Sequence, residues 1–285
     1  MTSAHLLVSN RVNNVAKDIV DITPFIKESP WSGEYAVFNM MLYSEPGEGK
    51  TPLLATVVDV PEMLPALLID CDNGTLSARF AKTLKTIHIS QMAQEKGISP
   101  WNALELIYGW LLFAPHDFKT VFVDGGTDLQ RYCELDCIAQ GVKNKTSDGK
   151  EHDPELAELA DYRRIQERMK RLYIRFRDIT TKDGRRMNFV ATAHESKGLD
   201  PKTSKPVIQP MFIGKLAPMA MSAFDIIARL TTEERTEKGK TVLVKRLVPC
   251  LEGNARGRDR SFALGEVMEA PSMRKIYECI HNMKR

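Results

Sequence analysis

Apolar residues along this chain fall in short unbroken runs separated by longer amphipathic stretches. The runs at 36–44 (AVFNMMLYS), 65–72 (PALLIDCD), 119–126 (KTVFVDGG) and 185–196 (RRMNFVATAHES) have strand length and read as buried strands, and 85–90 (KTIHIS) reads as a weaker one. Between them, 101–113 places Trp101, Leu104, Tyr108 and Leu111 at helical spacing. The stretch 161–179 sets Tyr162, Ile165, Met169, Leu172, Phe176 and Ile179 on one stripe, which predicts an amphipathic helix. Strands alternating with helices predict an α/β fold with a mainly parallel sheet flanked by helices. Toward the C-terminus, 224–232 and 240–249 read as two antiparallel strands joined by a charged turn, EERTEKGK, at 233–240. A last helix carries Met273, Ile276, Tyr277 and Ile280 on one side. Two stretches break the alternation. Residues 140–155 are polar and read as a mobile loop, and 197–218, with four prolines and four lysines, cannot form one regular element. The expected organisation is an N-terminal extension (1–35), a core (36–264) and a C-terminal helix packed on it (265–285).

Composition narrows the classes. In 285 residues no apolar run approaches the roughly 20 needed to cross a membrane, and the N-terminus lacks a signal-peptide layout. No membrane partner and a cytoplasmic location are expected. The five cysteines are scattered; Cys133 and Cys137 could share a helix face, but no second pair completes a zinc site. A net charge of +3 does not by itself imply a polyanionic partner. The charge is concentrated on 161–179, where Arg164, Arg168, Arg171 and Arg175 form a ridge that reads as a solvated face, a DNA surface or a contact for an acidic neighbour.

In a parallel sheet, ligands gather at the carboxyl ends of the strands. Here those ends carry Ser44-Glu45-Pro46-Gly47-Glu48-Gly49-Lys50-Thr51, then Asp70 and Asp72, Asp124 and His194. The first of these ends like a phosphate-binding loop, with Ser44 where the pattern has its first glycine. Gly47 and Gly49 open the backbone to phosphate, Lys50 can reach the β- and γ-phosphates, and the Thr51 hydroxyl can ligate Mg²⁺. Asp124, closing TVFVD, suits the carboxylate that supports that Mg²⁺. Asp72 could orient a hydrolytic water, or with Asp70 and Asn73 simply form a polar turn. His194 could contact the γ-phosphate and relay its presence to the segment that follows. Arg256, Arg258 and Arg260 stand at alternate positions; Arg256 or Arg258 could serve a neighbour's nucleotide as an arginine finger, or all could be surface residues.

The order of these parts, from the P-loop through IDCDNG, VFVDGGTDL and an arginine-rich helix to FVATAHES, resembles the core of RecA-type ATPases over residues 36–264. More narrowly, it is similar to phage-encoded RecA-like proteins, including the Sak-type single-strand annealing proteins. The resemblance implies ATP and Mg²⁺ as cofactors, with Asp72 at the position of the catalytic glutamate and His194 at that of the γ-phosphate sensor. It implies a ring or filament of identical subunits with ATP at their interface. Single-stranded DNA is the implied partner, with a single-strand-binding protein as a possible accessory. DNA would be held by loops in the places of 140–155 and 197–218, through Lys143, Lys145, Lys150, Lys197, Lys202, Lys205 and Lys215. ATP hydrolysis would be stimulated by DNA and slow, since Asp72 is one methylene shorter than glutamate. Rival readings are a small-molecule kinase, a motor or loader ATPase driven by a protein partner, and a module that keeps ATP as a structural clip.

Overall fold

The computed structural model describes residues 37–143, 157–200, 203–237 and 240–281. Six mutually parallel strands form the centre of a ten-stranded sheet: β1 (Asn39–Ser44), β2 (Ala66–Asp70), β3 (Lys85–His88), β4 (Thr120–Asp124), β5 (Asn188–Leu199) and β7 (Ile226–Glu237), in the order β3-β2-β4-β5-β1-β7. Beyond β7, β8 (Lys240–Val248) and β10 (Met268–Glu269) continue the sheet antiparallel. Two short strands lie off this path: β6 (Pro206–Pro210) pairs antiparallel with β5, and β9 (Arg258–Asp259) with β7.

The unbroken apolar runs have a direct cause: both faces of the sheet are covered, so neither parity of side chain can be polar. Met41, Tyr43, Leu67, Ile69, Val121, Val123, Phe189 and Ala191 face one core. That core is closed by α2 (Ile89–Lys96), α3 (Pro100–Phe113), α4 (Gly126–Lys143), α5 (Leu159–Arg177) and α6 (Leu216–Ser222). Met40, Leu42, Ala66, Leu68, Phe122 and Val190 face the other, under α1 (Lys50–Ala55) and α7 (Met273–His281). Because side chains alternate along a strand, Ser44, Asp70, Asp124 and His194 share the parity of the second core, the side on which α1 lies.

Three expectations need correction. Tyr162 is 37 % exposed, and Tyr173 takes the inward place on α5. Most of 233–240 is strand rather than turn: β7 runs to Glu237 and pairs with β8 as far as Glu237–Lys240, joined across the strands by the Arg246–Glu233 ion pair at 3.2 Å, and 238–239 lie outside the described residues. Residues 140–143 belong to α4 rather than to a loop, and 144–156 lie outside the described residues. As expected, 197–218 is not one regular element: β5 runs on to Leu199, β6 folds back against it, and α6 follows, while 201–202 lie outside the described residues.

Half of the arginine ridge of α5 is engaged inside the molecule, while Arg164 and Arg171 stay exposed. Arg168 pairs with Asp136 at 2.7 Å and lies over the Trp101 ring, and Arg175 pairs with Glu105 and lies over Tyr108. Cys133 and Cys137 do share an inner face of α4, buried and free.

Candidate nucleotide site

The end of β1 turns into α1 through Gly47 and Gly49, whose φ values of 83° and 92° lie where a side chain would be strained. Glycines in this conformation at the start of a helix are what a loop that cradles an anion with its backbone N–H groups requires. Ser44 occupies the first-glycine position without strain, being strand-like and fully buried. Its hydroxyl accepts a 3.1 Å bond from Lys50 Nζ and donates to the Glu45 carbonyl at 2.8 Å. Lys50 is also 3.5 Å from the carbonyls of Ser44 and Glu45 and from His194 Nδ1. Burial holds the Lys50 amine below its ordinary pKa, resisted by the charges of Asp124 and Asp72.

Thr51 donates to Asp124 Oδ2 at 2.6 Å, and Thr192, on the intervening strand β5, donates to Oδ1 at 2.5 Å. Burial pushes the Asp124 carboxyl up; the two hydroxyl bonds work against that shift. A hydroxyl and a desolvated carboxylate in contact form a hard oxygen donor set, which fits Mg²⁺ delivered with a nucleotide. Among the described residues no group of three His, Cys, Asp or Glu side chains could hold a metal unaided. Thr51 and Asp124 could hold such an ion.

Asp72 lies on the rim just beyond β2, exposed, its Oδ1 accepting the Gly74 N–H at 2.8 Å. The polar turn is therefore real, and it leaves the other carboxylate oxygen free of that bond. Asp72 backs directly onto Gly125: a Cβ built there would stand 3.1 Å from Asp72 Cβ. Asp70, buried, binds His88 Nδ1 at 2.7 Å and faces away from solvent. His194 is held below its usual pKa by burial and by the Lys50 charge.

The rim includes residues that the chain's patterning did not single out. Thr192 bridges Asp124 and the Gly125 N–H (2.9 Å); its signal was a lone hydroxyl in an apolar strand, of the same parity as His194. Thr127 accepts the His194 N–H at 3.0 Å. Asp128 is pushed up by burial and by the charge of Asp72.

Glu45 and Glu48 are neutralised from other strands. Lys197 of β5 pairs with Glu45. Thr232 donates to Glu48 at 2.5 Å, and Lys245 reaches it at 3.0 Å. Pro46 lies exposed between them.

The two finger candidates are not equivalent. Arg258 does not project: its guanidinium donates to the Met221 carbonyl at 2.6 Å and to that of Phe224, at the end of α6. Arg256 is 43 % exposed and pairs with Asp200. Of the DNA-loop lysines, Lys205 and Lys215 are exposed, Lys197 is engaged by Glu45, and Lys143 ends α4. Lys145, Lys150 and Lys202 lie outside the described residues.

An AAA domain family model matches residues 37–258. No curated protein sequence matches the chain. Among solved structures, that of the RadB recombinase aligns at 15 % identity and a TM-score of 0.35, covering 82 % of this chain and 85 % of that one, too distant a likeness to bear on function. No helix among the described residues is long and apolar enough to cross a membrane. The family match spans the P-loop, Asp124 and His194 alike, and on it the chain belongs to the AAA domain family, as a nucleotide-binding P-loop ATPase.

Proposed function

We propose that this ATPase is a RecA-like protein of the Sak type, which acts on single-stranded DNA and anneals or exchanges strands while assembled with copies of itself. In this reading Lys50 holds the β- and γ-phosphates and Thr51 with Asp124 holds Mg²⁺, which offsets phosphate charge. Asp72 orients the attacking water, with its Oδ1 fixed by Gly74. Arg256, the exposed member of the finger pair, reaches the nucleotide of the adjacent subunit.

The observation that carries the reading is the continuity of β5. The strand that presents His194 beside Lys50 runs on for five residues to Leu199 and folds back as β6. This arm bears Lys197, with Lys205 just before β6 and Lys215 beyond it, just before α6. Contacts from such lysines are made to phosphates and are independent of sequence. A γ-phosphate felt at His194 is thereby connected to a basic hairpin through a single strand.

The test is ATP hydrolysis by the purified protein with and without single-stranded DNA, beside Lys50→Ala, together with annealing of labelled complementary oligonucleotides. DNA-stimulated turnover that Lys50→Ala abolishes is expected. Turnover indifferent to DNA, with no DNA binding at low salt, would refute the reading and favour an ATPase driven by a protein partner.

A further inference from the structure

The first turn of α4 grips both arms of the β5–β6 hairpin, in a way that neither phosphate binding nor DNA binding requires. Thr127 Oγ1 lies between the arms: it accepts the His194 N–H at 3.0 Å and donates to the Met211 carbonyl at 3.4 Å. The arms are joined there by Met211 N–H to the His194 carbonyl at 2.7 Å. Two residues further, the Ile213 N–H donates to Gln130 Oε1 at 2.8 Å. Gln130 is 7 % exposed, a desolvated amide that would be costly to bury without such a partner. Between these two bonds Phe212 packs edge-on against Tyr173 of α5, with centroids 6.0 Å apart. Three consecutive residues, 211 to 213, are thus fixed to the helices behind them.

The same helix start is tied to the nucleotide side. Thr192 binds both Asp124 Oδ1 and the Gly125 N–H. Gly126, the first residue of α4, has no room for a side chain: a Cβ there would come within 2.5 Å of the Thr192 carbonyl and 2.7 Å of the Tyr173 hydroxyl. The first turn of α4 cannot shift independently of Asp124 and Thr192, nor can residues 211–213 shift independently of that turn.

We infer that Thr127 and Gln130 are positioning residues that transmit the occupancy of the nucleotide site to the β5–β6 hairpin. Thr127 acts at the root of both arms, and Gln130 at the exit of the returning arm. This rests on the hairpin's being the working element of the reading above, but the mechanical coupling can be measured without DNA.

The experiment is amide hydrogen exchange over residues 194–213 with and without Mg²⁺ and a non-hydrolysable ATP analogue, on the full chain as wild type, Gln130→Met and Gln130→Glu. Gln130→Met removes the acceptor at similar volume; Gln130→Glu keeps an acceptor for the Ile213 N–H. Nucleotide is expected to slow exchange in the wild-type hairpin by roughly five- to tenfold, the factor one hydrogen bond carries. Gln130→Met loses this nucleotide-dependent slowing while binding the analogue as before, and Gln130→Glu restores it. A merely structural bond would instead raise exchange equally with and without nucleotide. That result, full retention of the slowing in Gln130→Met, or no nucleotide effect on the wild-type hairpin, overturns the inference. A hairpin that responds to nucleotide through Gln130 in a protein whose turnover ignores DNA leaves the coupling standing and refutes only the DNA reading.

Discussion

Ser44→Ala isolates what the unusual first residue of the P-loop does. The hydroxyl is the nearest acceptor of Lys50, at 3.1 Å, whereas the other three contacts of that amine are all at 3.5 Å and cannot replace it. Alanine fits the buried strand position without opening the backbone as glycine would. A hydrogen bond to a charged group is worth about 1.5–3 kcal/mol net, and one of this length belongs at about 1.5. If Lys50 exchanges Ser44 for phosphate, the bond stabilises only the protein without nucleotide. Its loss should tighten ATP binding by about tenfold, since about 1.4 kcal/mol is a factor of ten. It should also lower the melting temperature of the free protein by about 3–6 °C, at about 2–4 °C per kcal/mol for a domain of this size. With saturating Mg-ATP the two effects cancel by linkage, and the melt should match wild type. Calorimetric titration and paired melts read both quantities. Weaker ATP binding, or an equal fall in both melts, would refute the reasoning and make the hydroxyl part of the phosphate cradle instead.

Asp72→Asn should cut single-turnover hydrolysis by about 10²–10⁴-fold, the usual worth of a positioned base, while ATP binding persists; loss of binding with turnover per bound ATP intact would contradict its assigned role. Glu195→Ala leaves the Arg229 guanidinium without the 2.7 and 3.1 Å bonds it now makes to a carboxylate whose side chain is 1 % exposed. It should cost about 3–5 kcal/mol in urea unfolding, and the double change to methionine should recover most of that. Arg258→Ala should lower stability by about 1–3 kcal/mol by orphaning the carbonyls of Met221 and Phe224, and leave turnover unchanged. Arg256→Ala should do the reverse, and turnover equal to wild type would remove the remaining finger candidate.

The sheet was legible because burial on both faces erases alternation, and length then distinguishes strands such as 119–126 from the helices between them. The rim was legible for the same reason: a polar residue closing an apolar run, as Asp124 and His194 do, stands out from its neighbours. The hairpin was not. Past His194 the strand leaves the central sheet, Lys197 to Leu199 are exposed, and Pro206 and Pro210 sit at the ends of an edge strand where proline costs no ladder bond. Local pattern reads that as irregular, because what orders it is the long-range pairing of Glu195 with Pro210 and the grip of Thr127 and Gln130. The arginine ridge misled in the opposite direction. Its spacing announces a charged face, but Trp101, Glu105, Tyr108 and Asp136, which occupy Arg168 and Arg175, come from other helices and leave no trace in the spacing.

Two glutamates in a phosphate-binding loop would repel the ligand unless something offsets them, and the fold supplies each with a cation from a different hairpin. Lys197, which holds Glu45 below its usual pKa through their hydrogen bond, comes from the β5–β6 arm. Lys245, with Thr232, lowers that of Glu48 against the effect of burial and comes from the β7–β8 ribbon. The Lys197 and Glu45 side chains are 63 % and 49 % exposed, so their attraction is screened and contributes little to stability. A contact that weak is easily exchanged. The ammonium that neutralises Glu45 is the same one that the arm would offer to a phosphate backbone, so engaging DNA through Lys197 would uncover a negative charge on the P-loop. On the proposed reading nucleotide and DNA would then meet in one lysine as well as through the contacts at Thr127, and Lys197→Ala should weaken ATP binding even when no DNA is present. Unchanged ATP affinity in that variant, titrated at low salt where screening is least, would show that Glu45 needs no counterion and would break this second link.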